Sequence, residues 1–162
     1  MTLRITNTAQ YLMCAEFTAS LADTMHGAPI LDLEKESVSF DIFEMLDGAT
    51  LVGGQIHVVE PITAVPKLDG SEPPEPETED IGITFVASLG TGSDGEKFFA
   101  EADLADGGAG QLIGLNYRFS RGERVRLTLA PTAEANVDTI TGKFTVILYF
   151  TIDGRAHKLI PN

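Results

Sequence analysis

The stretch SLGTGSDGEKFF, residues 88–99, spaces Gly90, Gly92 and Gly95 as G-x-G-x-x-G directly after the apolar run IGITFVASL. This spacing lets the turn between a strand and a helix approach a pyrophosphate, whose charge then sits on the helix N-terminus. For that chemistry Gly95 has to open a helix, and EKFFAEADLAD offers it an apolar side through Phe98, Phe99 and Ala102. The next segment, QLIGLNYRF, should then end in an acid that holds a ribose. It runs instead into Arg118, Arg121 and Arg124, which suit a 2′-phosphate. A doubly wound domain must go on alternating strands and helices. Residues 124–160 carry strand patterns throughout and leave no room for a crossover helix. The motif is therefore read as a glycine-rich loop joining ITFVASL to KFFAEADL, and no cofactor is expected. An NADP-dependent enzyme is the rival reading, which a helix at Gly95 would revive.

Other residues of chemical interest are scattered. His26, His57 and His157 share no ligand spacing, and with a single cysteine, Cys14, a structural zinc site is not expected. Cys14 lies in an apolar setting with no basic partner nearby in sequence, so it reads as a small buried hydrophobe. Neither a G-x-S-x-G nor a P-loop lysine is present. Asp94 with Glu96, or Asp103 with Asp106, could offer oxygens to calcium, but neither pair follows the EF-hand order. The arginines of YRFSRGERVR form the one basic cluster. Beside Tyr117 and Phe119 it could face nucleic acid. A cross-strand charge ladder, or contact with an acidic neighbour, is the simpler reading.

Composition narrows the partners. The 162 residues hold 24 Asp and Glu against 11 Lys and Arg, a formal net charge of −13 that repels phosphate backbones and anionic headgroups. Direct binding to nucleic acid or membrane is therefore not expected. One cysteine allows no intrachain disulfide, so nothing requires an oxidising compartment. No apolar run approaches the roughly 20 residues of a membrane helix. The start of the chain has no apolar run of signal-peptide length.

The elements that would position these residues are mostly strands. TLRIT, residues 2–6, alternates and reads as a short strand. Met13, Phe17, Leu21 and Met25 recur every fourth residue, which predicts a helix over 11–26 ended by Gly27 and Pro29. The alternation in EFTASLAD offers a strand pair as the rival. SVSFDIFEM places Val38, Phe40 and Ile42 on one face and Ser39, Asp41 and Phe43 on the other. Asp47-Gly48 and Gly53-Gly54 read as turns. Residues 66–80, PKLDGSEPPEPETED, hold four prolines and six carboxylates and read as an exposed, extended loop within one domain. Strands are expected at 81–89, 97–104, 111–119, 124–130, 143–152 and 155–160, with PTAEANVDTITG as a separator. Phe144, Val146, Leu148, Phe150 and Ile152 oppose Thr145, Ile147, Tyr149 and Thr151, so this strand is apolar on nearly both faces and belongs at a sheet centre. The fold class expected is mainly β, an antiparallel sandwich, jelly roll or barrel with one short N-terminal helix.

Residues 81–160, and above all GKFTVILYFTIDGR after a polar loop, resemble the accessory virion proteins of tailed bacteriophages, the capsid decoration or cement proteins. The resemblance implies a β-sandwich or barrel that trimerises and binds a capsid lattice, with other copies and the major capsid protein as partners. It also implies a place in the virion after assembly in host cytoplasm. The expectation is thus a structural protein without catalytic, cofactor or metal residues. Its interface is expected at the N-terminal arm, residues 1–10 with Leu3, Arg4 and Ile5, and at the basic stripe Arg118, Arg121, Arg124 and Arg126. The alternative is a soluble calcium- or carbohydrate-binding β-module with its site in the loops 90–96 and 105–110. The chain has no Trp to provide a sugar platform.

Overall fold

A computed structural model describes residues 2–7, 12–25, 27–33, 35–66, 83–105, 109–133 and 137–152, and no helix occurs among them. The strands are β1 (Thr2–Asn7), β2 (Leu12–Ser20), β3 (Thr24–Met25), β4 (Ala28–Pro29), β5 (Val38–Glu44) and β6 (Ala49–Pro66). They continue as β7 (Ile83–Thr91), β8 (Phe99–Asp103), β9 (Ala109–Gln111), β10 (Arg124–Ala133) and β11 (Val137–Ile152). Five of them form one sheet in the order β1-β2-β11-β6-β9. Four form a second in the order β5-β10-β7-β8, and β3-β4 is a small hairpin. Every pairing is antiparallel.

The two larger sheets face each other as a sandwich. Phe17 and Phe144 of the five-stranded sheet meet Phe40, Phe43 and Phe85 of the four-stranded one, with ring centroids 6.1–6.5 Å apart. Such tilted and edge contacts suit the aromatic quadrupole. Ala15, Phe17 and Ala19 of β2 alternate into this core, as do Val125, Leu127 and Leu129 of β10 and Phe85, Ala87 and Leu89 of β7. β11 lies between β2 and β6, the central place its two-sided apolar pattern calls for. Directly opposed hydroxyls tie strands together outside the core, Thr18 to Thr145 at 2.8 Å, Ser39 to Thr128 at 2.8 Å and Thr63 to Thr141 at 2.9 Å.

Several expectations need correction. The segment read as an N-terminal helix is strand β2, followed by a turn and the β3–β4 hairpin. A repeat of four is also a multiple of two, so Met13 and Phe17 lie on one side of a strand as readily as of a helix. Ala15 and Ala19 fill the positions between and are buried too. In β5, the register against β10 skips Ile42, leaving it as the extra residue of a bulge. Phe43 therefore turns back toward the same core as Phe40 instead of facing away. Gly53 and Gly54 are not a turn: β6 runs straight through them, with a register shift opposite Tyr149 and Phe150. PTAEANVDTITG is mostly strand, since β10 continues to Ala133 and β11 begins at Val137. Residues 111–119 are not a strand. Only Ala109–Gln111 pairs as one, because Gly114 (φ 65°) and Asn116 (φ 68°) break the extended path. The acidic run 67–80, the expected strand 155–160, His26, His157 and Asp106 lie outside the described residues.

Candidate interaction surfaces

The glycine motif is the loop of an antiparallel hairpin. β7 ends at Thr91, and β8 returns alongside it from Phe99. The backbone N–H of Thr91 donates to the carbonyl of Asp94 at 2.7 Å, and that of Phe98 to Leu89 at 2.8 Å. A Cβ on Gly90 would stand 2.0 Å from the Asp94 carbonyl oxygen, so the loop folds too closely over Gly90 for any side chain. Gly92 and Gly95 face open space. No helix opens at Gly95, so the motif lacks the N-terminus on which a pyrophosphate would rest. What the loop delivers is Phe98, fully buried against Tyr117 and Phe119 at 5.4 and 5.5 Å between centroids.

The four arginines of the expected stripe do not lie together. Arg124 and Arg126 share the outer face of β10. Nε of Arg126 donates to Oδ1 of Asp41 at 2.9 Å, and Arg124 sits 3.5 Å from Asp41 and 3.4 Å from Glu44. These are cross-strand pairs with β5, so both of these cations are answered within the chain. Arg126 holds the Asp41 carboxyl below its usual range, chiefly through that hydrogen bond. Arg118 bridges Thr50 of the other sheet, and its guanidinium packs beside Gly48. Arg121 is exposed in the turn Ser120–Glu123. Glu123 closes that turn by accepting the Ser120 N–H at 2.9 Å, and it also accepts the Tyr117 hydroxyl. This bond, with burial, pushes the Tyr117 pKa up to about 12. Lys97 lies 4.3 Å from the Tyr117 ring centroid, a cation–π contact.

Of the expected arm, Leu3, Arg4 and Ile5 lie in β1 opposite Phe17, Glu16 and Ala15 of the same chain. β1 is an edge strand, paired on one side by β2. The carboxylates considered for calcium have backbone partners. Asp103 accepts N–H groups from Phe85 and Ala105, each at 2.9 Å, and Asp94 accepts that of Glu96 at 3.3 Å. Among the described residues no three His, Cys, Asp or Glu side chains gather as a metal site. His57 stands on the outer face of β6 opposite Thr145, and its buried Nδ1 has no hydrogen-bond partner among the described residues. Cys14 is half-buried on the outer face of β2, opposite Tyr149.

The two outer faces of the sandwich differ in kind. The four-stranded face carries Asp41, Glu44, Arg124 and Arg126 in ion pairs. On the five-stranded face, among the described residues, Glu16 and the Lys143–Glu60 ion pair carry charge, and Ile147–Thr151 of β11 carry none. Beyond β6 the chain from Leu112 to Phe119 runs beside Ala49–Gly54. Leu112 donates to Gly54, Asn116 to Leu51 and Phe119 to Ala49, while Leu51 donates to Tyr117. This path leaves Ile113, Leu115 and Val52 exposed, at 53%, 46% and 37%. Sequence reasoning missed both Asp41 and this apolar group. Asp41 stood on the wet side of an alternating strand, and Ile113 and Leu115 flank a glycine in an uncharged stretch.

No family model and no curated protein matches this chain. A chain of the capsid asymmetric unit of cyanophage Pam1 has a similar fold, with a TM-score of 0.56 and 12% sequence identity over 94% of this chain and 94% of that one.

Proposed function

We propose that this chain is a non-enzymatic structural component of a phage capsid, an accessory decoration or cement protein that binds the shell as a homo-oligomer, in trimers. The observation that carries the reading is the likeness to a chain of a cyanophage capsid over 94% of both chains. Equal coverage means closely similar lengths, so the likeness extends over two chains of one build and is not confined to a module within a larger subunit. The partners in this reading are other copies and the major capsid protein, and the place is the virion. A net charge of −13 disfavours direct contact with the packaged nucleic acid.

Attachment would rest on many repeated contacts of modest strength, which a lattice multiplies into firm binding. Among the described strands β1 is an edge, paired by β2 alone, and its free side could join a neighbour's sheet. The test is made on particles. In cells producing the phage that encodes this chain, gradient-purified particles should contain it in fixed ratio to the shell protein. A chain lacking residues 1–8 should fold and attach more weakly. Absence of the full chain from purified particles would overturn the reading.

A further inference from the structure

We propose that the cleft between the β7–β8 loop and the turn before β10 binds a carboxylate group, held by the guanidinium fork of Arg126 and the backbone N–H groups of Gly92 and Ser93. The cleft has a volume of about 320 Å³. The loop contributes Thr91, Gly92 and Ser93 to its lining, and the turn contributes Gly122 and Glu123. Asp41 of β5 and Arg124 and Arg126 of β10 complete it. Gly92 and Gly122 have open space where a Cβ would stand, so neither the loop nor the turn fills the cleft with a side chain at these positions. The site is independent of the capsid reading and goes beyond it.

The hydrogen-bonding groups already in use select the ligand. The carboxylate acceptors are engaged. Asp41 accepts Nε of Arg126 on Oδ1 at 2.9 Å, and its Oδ2 stands 3.5 Å from Arg124. Glu123 accepts the Tyr117 hydroxyl on one oxygen and the Ser120 N–H on the other. Several donors are not engaged. Arg126 bonds through Nε, and its two Nη groups have no partner among the described residues, on a side chain that is 39% exposed. The N–H groups of Gly92 and Ser93 have none among the described residues either. Those of Thr91 and Asp94, on either side of them, are bonded within the loop.

Spare donors beside spent acceptors fit oxygens that carry negative charge. The planar guanidinium fork matches the two oxygens of a carboxylate. Arg124, and Arg121 exposed in the turn, add positive charge nearby. Asp41, Glu123 and the net charge of −13 oppose a phosphate dianion more than a single charge, so the carboxylate is the better fit of the two. Salt screens the carboxylates that lie beyond about 8 Å.

The test is a titration of the full chain with sodium acetate, N-acetylglycine and sodium phosphate at matched ionic strength, followed through the backbone amides by NMR. Acetate should shift the Gly92 and Ser93 amides saturably, with a Kd on the order of 1–10 mM. Tighter binding of N-acetylglycine would assign the site to the C-terminus of a protein chain, and equal binding would assign it to carboxylates at large. Arg126→Lys keeps a cation beside Asp41 but loses the fork, and should weaken acetate binding at least about fivefold, with circular dichroism to verify folding. Lys143→Gln, which removes a cation from the other sheet, should change it little. Gly92 and Ser93 amides that stay still or shift without saturating overturn the proposal. So does a folded Arg126→Lys chain that binds acetate as tightly as the wild type, or phosphate binding tighter than acetate.

Discussion

At the scale of single residues, the sharpest test separates a hairpin from a nucleotide turn. A dinucleotide site would need Gly92 for close approach of the phosphates. In this fold only Gly90 is hemmed in, by the backbone of Asp94 and Gly95, while Gly92 and Gly95 are open. Gly90→Ala should therefore destabilise by about 2–3 kcal/mol, and Gly92→Ala should stay within about 0.5 kcal/mol, measured by urea unfolding. Two titrating residues add pH dependence at opposite ends. Tyr117 is raised from 10.0 to about 12 by its bond to Glu123 and by burial, so its contribution is complete below pH 10 and is lost as pH rises through about 12. Tyr117→Phe should cost about 1 kcal/mol near neutral pH, and the gap should close in strong alkali. Asp41 is lowered, chiefly by the hydrogen bond from Arg126, so its contribution is complete above the ordinary carboxylate range and is lost as pH falls through its lowered value. Asp41→Asn should cost at most about 1 kcal/mol at neutral pH, since the pair is partly solvated, and should flatten the acid limb of the stability curve.

At the scale of elements, what was legible in the sequence was period two. The alternations of β10 and of β11 after Gly142 gave a sheet face and a sheet centre directly, because every second residue meets one environment. What was not legible were the places where the period slips. Ile42 is an extra residue against β10, and nothing near it in sequence signals that Phe43 turns inward; only the partner strand decides. Gly53 and Gly54 have turn chemistry but are held extended by β11 beside them. The same limit applied to the surface. Four arginines close in sequence looked like one stripe, yet Arg118 belongs with Thr50 on one sheet and Arg126 with Asp41 on the other, pairings set by topology. Hydroxyl pairs across strands were equally hidden. A double-mutant cycle on Thr18→Val and Thr145→Val should give a coupling of about 0.2–1 kcal/mol, read by thermal unfolding.

For the whole molecule, an excess of carboxylates sets a repulsion that compactness has to overcome. Added sodium chloride should therefore raise the melting temperature of the chain, read by circular dichroism. The ends of the sandwich carry a second consequence. β6 and β11 run past the last residue of β2, and β10 with β7 runs past the last pairing with β5, so Pro66 and Ile83 finish at one pole on facing sheets. Each of these two ends is held by a ladder of its own, β6 on β11 and β7 on β10. A foreign peptide inserted between Pro66 and Ile83 should therefore leave the unfolding midpoint of the sandwich little changed, as thermal unfolding would show.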